Sequence, residues 1–160
     1  TVIATASRTE TVQWCKDMGA HFVVDHSKPL AAQIKELKLG AVPFVFCTVS
    51  AVDYIPQIAE LIAPQGRLGL INRENLDFTP IIAKCISIHW ELMFTRILFQ
   101  TADVEAQHRI LDEVARLVDA GKVRTTRTET FGRINAENLR RAHTFVETGK
   151  ARGKVVLEGF

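Results

Sequence analysis

One hundred and sixty residues, 47% of them apolar and 24% charged, make an ordinary globular balance with enough chain to bury a core. A net charge of only +2 with no run of Lys or Arg argues against nucleic acid as a partner, and no apolar stretch is long enough to cross a bilayer as a helix. The three cysteines, Cys15, Cys47 and Cys85, lack a CxxC pair or zinc-ligand spacing and read as buried thiols of a reducing, cytoplasmic compartment.

The chain opens inside a strand: residues 1–6 form a β-branched run of the kind buried on both faces. With neither Met nor leader before it, the sequence reads as part of a longer protein. At Ser7-Arg8-Thr9-Glu10 a helix begins, expected over residues 8–18, with Val12, Trp14, Cys15 and Met18 as its apolar stripe and Gly19 as its stop. Ser7 and Glu10 have the spacing of a capping box. A second strand follows at residues 21–26. Ser27-Lys28-Pro29 opens the next helix, whose Leu30, Ile34 and Leu37 share one face, and Gly40 ends it.

Residues 44–49 form a third strand without alternation, as expected where a parallel sheet is covered on both sides. A helix over 51–62, broken near its start by Pro56, leads to a turn at Ala63-Pro64-Gln65-Gly66 and a fourth strand over 67–72. A turn at 80–84 precedes the fifth strand, 86–93. Strand and helix alternate with short connections, which predicts a doubly wound α/β sheet. The last third differs. Asp103 is placed to cap a helix to Ala120, with Ile110, Leu111, Val114, Leu117 and Val118 inside and Gly121 beyond. A polar, Thr-rich strand over 123–131, a helix capped by Asn135 and a strand over 153–157 complete the chain. The expected division is residues 1–121 as a partial dinucleotide-binding domain and 122–160 as a separate C-terminal segment.

The end of the first strand carries the chemical clue. In dinucleotide-binding sheets a carboxylate at the end of the second strand binds the ribose 2′-hydroxyl, whereas a small polar residue with Arg accommodates a 2′-phosphate. Ser7-Arg8 stands here, so NADP(H) is the expected cofactor. A plain helix cap explains Ser7 equally well, and an exposed cation explains Arg8. The two roles are compatible, because a helix N-terminus is itself an anion site.

Taken in order, Val2-Ile3-Ala4-Thr5-Ala6-Ser7-Arg8, Met18-Gly19-Ala20 and Val23-Val24-Asp25-His26 resemble the C-terminal half of the medium-chain dehydrogenase/reductase superfamily. Ile62-Ala63-Pro64-Gln65-Gly66-Arg67, the stretch from His89 to Arg96 and the ending Gly149-Lys150-Ala151-Arg152-Gly153-Lys154-Val155-Val156-Leu157 extend the likeness across the chain. The sequence is most similar to the zinc-type alcohol dehydrogenase-like and NADPH:quinone oxidoreductase branch. That resemblance implies a Rossmann-like sheet whose first strand and glycine-rich loop lie upstream of Thr1, and a segment from about Val123 that returns to a catalytic domain. Zinc ligands of such enzymes lie in that other part, so no metal site carries over.

The resemblance also implies a cofactor site. Ser7 and Arg8 would hold the adenosine 2′-phosphate, and His26 would lie beside it, although a surface His at a strand end is an equally good account. Cys47 and Thr48 would flank the adenine and its ribose, and Ile71 and Asn72 the nicotinamide ribose. Phe94 and Thr95 would border the nicotinamide and the substrate; core packing explains Ile71 and Phe94 as well. Lys154 corresponds to a Gly-Lys step near the phosphates, with an exposed Lys as its plain alternative. Hydride transfer needs no protein nucleophile, so no catalytic residue is assigned. His89 and Glu91 share a strand face, where a polar edge pair accounts for them.

The function so implied is transfer of hydride between NADPH and a small carbonyl, enone or quinone, with the chain inactive by itself. The outer strand 86–93 is apolar enough to be a liability when exposed, and the resemblance implies a homodimer that covers this edge with the same strand of a second subunit. The competing readings are a non-redox α/β module binding a nucleotide or S-adenosylmethionine, and an inactive fragment. An S-adenosylmethionine site favours an acidic residue where Ser7-Arg8 stands.

Overall fold

The opening β-branched run yields a strand shorter than its apolar length. In the computed structural model, which describes residues 1–159, β1 (Ile3–Thr5) pairs in parallel with β2 (Phe22–Val24). Helix α1 (Thr9–Asp17) joins them and packs on both. It ends as expected at Gly19, whose φ of +103° lets Ala20 N–H reach Cys15 O at 3.0 Å.

The capping box at its start does not form. Arg8, not Ser7, is the N-cap, with an extended backbone and no side chain capping it. Ser7 therefore stands one residue too early, and Glu10 turns to the Arg8 side chain instead.

Helix α2 (Leu30–Glu36) starts beside Pro29, and Leu30 and Ile34 bury their side chains with Val24. β3 (Val42–Cys47), α3 (Ile55–Leu61), β4 (Ile62–Leu70) and β5 (Ser87–Trp90) follow, with a 3₁₀ turn at Thr79–Lys84 before β5. Pro56 sits in the first turn of α3, where its missing N–H costs nothing. The sheet runs β3-β4-β5, all parallel. Its core gathers Cys47, Ala51, Ile55, Ile58, Ile62, Leu68, Leu70 and Ile81.

Several expectations need correction. The stretch 63–66 is a bulge inside β4 and not a turn before it: the pairing jumps from Val42↔Ile62 to Phe44↔Arg67, with Gln65 at φ +60°. β3 is covered on one face only. Val45 and Cys47 pack toward α3 and the 3₁₀ turn, while Phe44 and Phe46 point the other way and remain 65% and 62% exposed. Trp90 ends β5, and Leu92 and Met93 lie beyond it, exposed. A short helix α4 (Thr95–Leu98) follows.

The expected break in the sheet is present. β1 and β3 do not pair with each other, and among the described residues no strand lies between them. They nevertheless share a core, since Ile3 and Val42 both pack on Val24, Leu30 and Ile34. These elements make up the first of two compact units, Thr1–Val104 and Glu105–Phe160.

The second unit holds α5 (Ala106–Asp119), β6 (Arg127–Arg133), α6 (Ala136–Glu147) and β7 (Lys154–Glu158). Asp103 does not cap α5; it accepts from Arg96 Nε at 2.9 Å and Thr101 Oγ1 at 2.7 Å. The apolar stripe of α5 exists, but Ile110, Leu111 and Val114 are exposed. β6 begins at Arg127, later than expected, and pairs in parallel with β7. Asn135 does cap α6, its side chain accepting the Asn138 N–H at 2.8 Å. Among the described residues no helix is long and apolar enough to cross a membrane.

Candidate functional site

In open parallel sheets ligands bind outside the carboxyl ends of the strands, where the connections diverge. In the first unit a cleft of about 520 Å³ lies there, and Thr5, His26, Phe46, Cys47, Thr48 and Tyr54 are among the residues that line it. The cleft continues between the unpaired edges of β1 and β3 over an apolar floor that includes Leu30, Ile34, Val42 and Leu61. A larger hollow, about 720 Å³, opens between α2 and the residues around Gly40 and Glu60. No candidate residue and no strand end lies in it, so the chemistry points to the smaller cleft.

Of the residues expected from the sequence, His26, Cys47 and Thr48 come together in this cleft. His26 and Thr48 are exposed; Cys47 is buried, and its Sγ–H is 3.5 Å from Val49 O. Ser7 and Arg8 follow β1 at the entry to α1, Ser7 exposed and Arg8 half-buried. Ile71 and Asn72 leave the end of β4, the first exposed and the second half-buried. Phe94 and Thr95 form the start of α4 and are exposed. Lys154 opens β7 in the second unit, with its side chain exposed and its N–H donated to Thr126 O at 2.7 Å.

Residues that sequence reasoning missed hold the loops of this edge. Gln33 grips the loop after β2 from both sides: its Oε1 accepts Asp25 N–H and its Nε2 donates to Asp25 O, each at 2.9 Å. Asp25 accepts from Ser27 Oγ at 2.6 Å and Ser27 N–H at 2.9 Å, with Lys28 Nζ at 3.4 Å. Those bonds, the hydroxyl first, hold its carboxyl below the usual range. Glu74, in the loop after β4, accepts the N–H of buried Ala51 at 2.8 Å and so ties that loop to the one carrying Thr48. Glu74 and Ala51 are far apart in sequence, and nothing local signals their meeting.

The donor set at the start of α1 fits an anionic group: the Ser7 hydroxyl, the Arg8 guanidinium and the backbone amides of Thr9 and Glu10, the Thr11 N–H being already donated to Arg8 O at 3.0 Å. Zinc finds no such fit. Among the described residues no three His, Cys, Asp or Glu side chains cluster as metal ligands.

Residues 18–157 match the family of zinc-binding dehydrogenases. A zinc-type alcohol dehydrogenase-like protein of Staphylococcus aureus (strain MSSA476) is 36% identical over 159 residues, covering 98% of this chain and 48% of that protein. A solved structure from Rhizobium etli CFN 42, provisionally described as a zinc-dependent alcohol dehydrogenase, is 55% identical with a TM-score of 0.93. It covers 100% of this chain and 47% of its own. The CurF ER cyclopropanase of curacin A biosynthesis, 21% identical with a TM-score of 0.77 over 99% of this chain and 47% of that one, shares the fold. The chain spans about half the length of the curated relatives it matches.

Proposed function

Because the chain belongs to the zinc-binding dehydrogenase family, within the medium-chain dehydrogenase/reductases, we propose that it forms the NADP(H)-binding part of an oxidoreductase. The substrate class is a small carbonyl, enone or quinone. Family membership favours this over a non-redox nucleotide or S-adenosylmethionine module. The observation that carries the cofactor choice is Arg8 beside Ser7 at the end of β1, with no Asp or Glu among residues 1–9.

When bound, the nicotinamide supplies the hydride, and the protein supplies binding and orientation. Arg8 can meet a phosphate with two parallel charge-assisted hydrogen bonds, and Ser7 can add one. His26, Cys47 and Thr48 line the groove for the nucleotide, with Ile71, Asn72, Phe94 and Thr95 as further contacts.

The test is a titration of NADPH and NADH against the full-length gene product and its Arg8→Ala variant. Hydrogen bonds to charged groups contribute roughly 1.5–3 kcal/mol, and about 1.4 kcal/mol is tenfold, so NADPH should weaken by roughly ten- to a hundredfold. NADH, without the 2′-phosphate, should hold its affinity. Equal losses, or a wild-type preference for NADH, refute the assignment.

The outer strand β5 pairs with β4 on one side only, and Trp90 at its end is exposed. We propose a two-fold homodimer through this edge. A monomer by light scattering of the full-length product at high concentration refutes it.

A further inference from the structure

We propose that Glu10 is a specificity-determining residue, which competes with a 2′-phosphate for Arg8 and so narrows the preference for NADPH over NADH. The inference rests on the cofactor reading above and adds a residue that opposes it.

Three observations carry it. Glu10 Oε1 lies 3.3 Å from Arg8 Nε, with the two side chains 58% and 37% exposed. Arg8 is the N-cap of α1 and Glu10 sits in its first turn, where the helix dipole favours a carboxylate. No cap bond draws Glu10 toward Ser7, so the carboxylate stays with the guanidinium. A doubly charged phosphate reaching Arg8 meets a negative neighbour already on its Nε. A cofactor with a free 2′-hydroxyl brings no second anion and meets no such repulsion.

The consequence runs against the usual direction of mutations: removing a charge improves binding. Exposed ion pairs hold their partners weakly, so the gain on releasing Arg8 is about two- to fivefold. It shrinks as salt rises, because both charges face solvent.

The experiment is calorimetric titration of the full-length gene product with adenosine 2′,5′-bisphosphate and with ADP as probes, needing no turnover. Glu10→Gln should bind the 2′-phosphorylated probe about two- to fivefold more tightly at low salt and ADP unchanged. Glu10→Ala should repeat the gain. If both variants leave the 2′-phosphorylated probe unchanged or weaken it while Arg8→Ala loses affinity for it, Glu10 has no such role and the cofactor reading stands. If Arg8→Ala loses nothing, the cofactor reading fails and this inference falls with it.

Discussion

Gly66 is a residue whose replacement isolates steric crowding from backbone conformation. It lies buried in the bulge where β4 shifts its pairing with β3. A Cβ there would come 2.8 Å from Ala63 O, 2.9 Å from Ile62 Cγ1 and 3.0 Å from Pro43 O. Two of those atoms are backbone oxygens and the third belongs to a side chain with 0% exposure, so none can swing away. The strands must part, breaking the pairing from Val42 to Phe44. Overpacking of this kind costs about 1–3 kcal/mol. The immobile neighbours put Gly66→Ala near the top of that range, against an unfolded-state gain of about 0.4–1 kcal/mol on losing a glycine.

The net loss is about 2 kcal/mol, which lowers the urea midpoint by about 1 M for a slope near 2 kcal/mol per M. Gly121→Ala is the control. Its φ is +66° with nothing within 4 Å of the added Cβ, so only the left-handed backbone penalty of about 1 kcal/mol applies. Urea unfolding of both variants in the full-length gene product checks the ranking. A Gly66→Ala loss equal to or below that of Gly121→Ala would refute the steric reasoning.

Lys84 Nζ donates to Ile62 O at 2.7 Å and Glu60 O at 3.3 Å, closing the carbonyl end of α3. Lys84→Met should cost about 1–2 kcal/mol, the value of a charged hydrogen bond discounted for solvent; an unchanged urea midpoint would contradict it. Asp25, held below the usual carboxylate range by Ser27 and Lys28, adds stability above its unfolded pKa that is lost as pH falls through the lowered folded value. Side-chain NMR should show Asp25 titrating low and moving up in Ser27→Ala; an ordinary titration in the wild type would contradict that.

Local patterning determined the alternation of strand and helix, the Gly19 stop, the Asn135 cap and the α/β class, because each depends on residues within a turn or two of one another. The family likeness was legible for the same reason: it lies in short runs at strand ends, such as Ala6-Ser7-Arg8 and Val23-Val24-Asp25-His26. Local reasoning failed where a rival partner stood nearby. Glu10 had Ser7 at the spacing of a cap, but the backbone placed Arg8 in the cap position. Asp103 found Arg96 and Thr101 before it could cap α5.

Only the tertiary structure decided which apolar residues are covered. Phe44 and Val45 are equally apolar neighbours, yet α3 and the 3₁₀ turn cover one face of β3 and leave the other bare. Tertiary structure also decided the cleft. His26 follows β2 whereas Cys47 and Thr48 stand at the end of β3, and Gln33 and Glu74 hold their loops across gaps that no periodicity spans. A hydrogen bond between distant residues depends on where two backbones are brought by packing, and that is a property of the whole core.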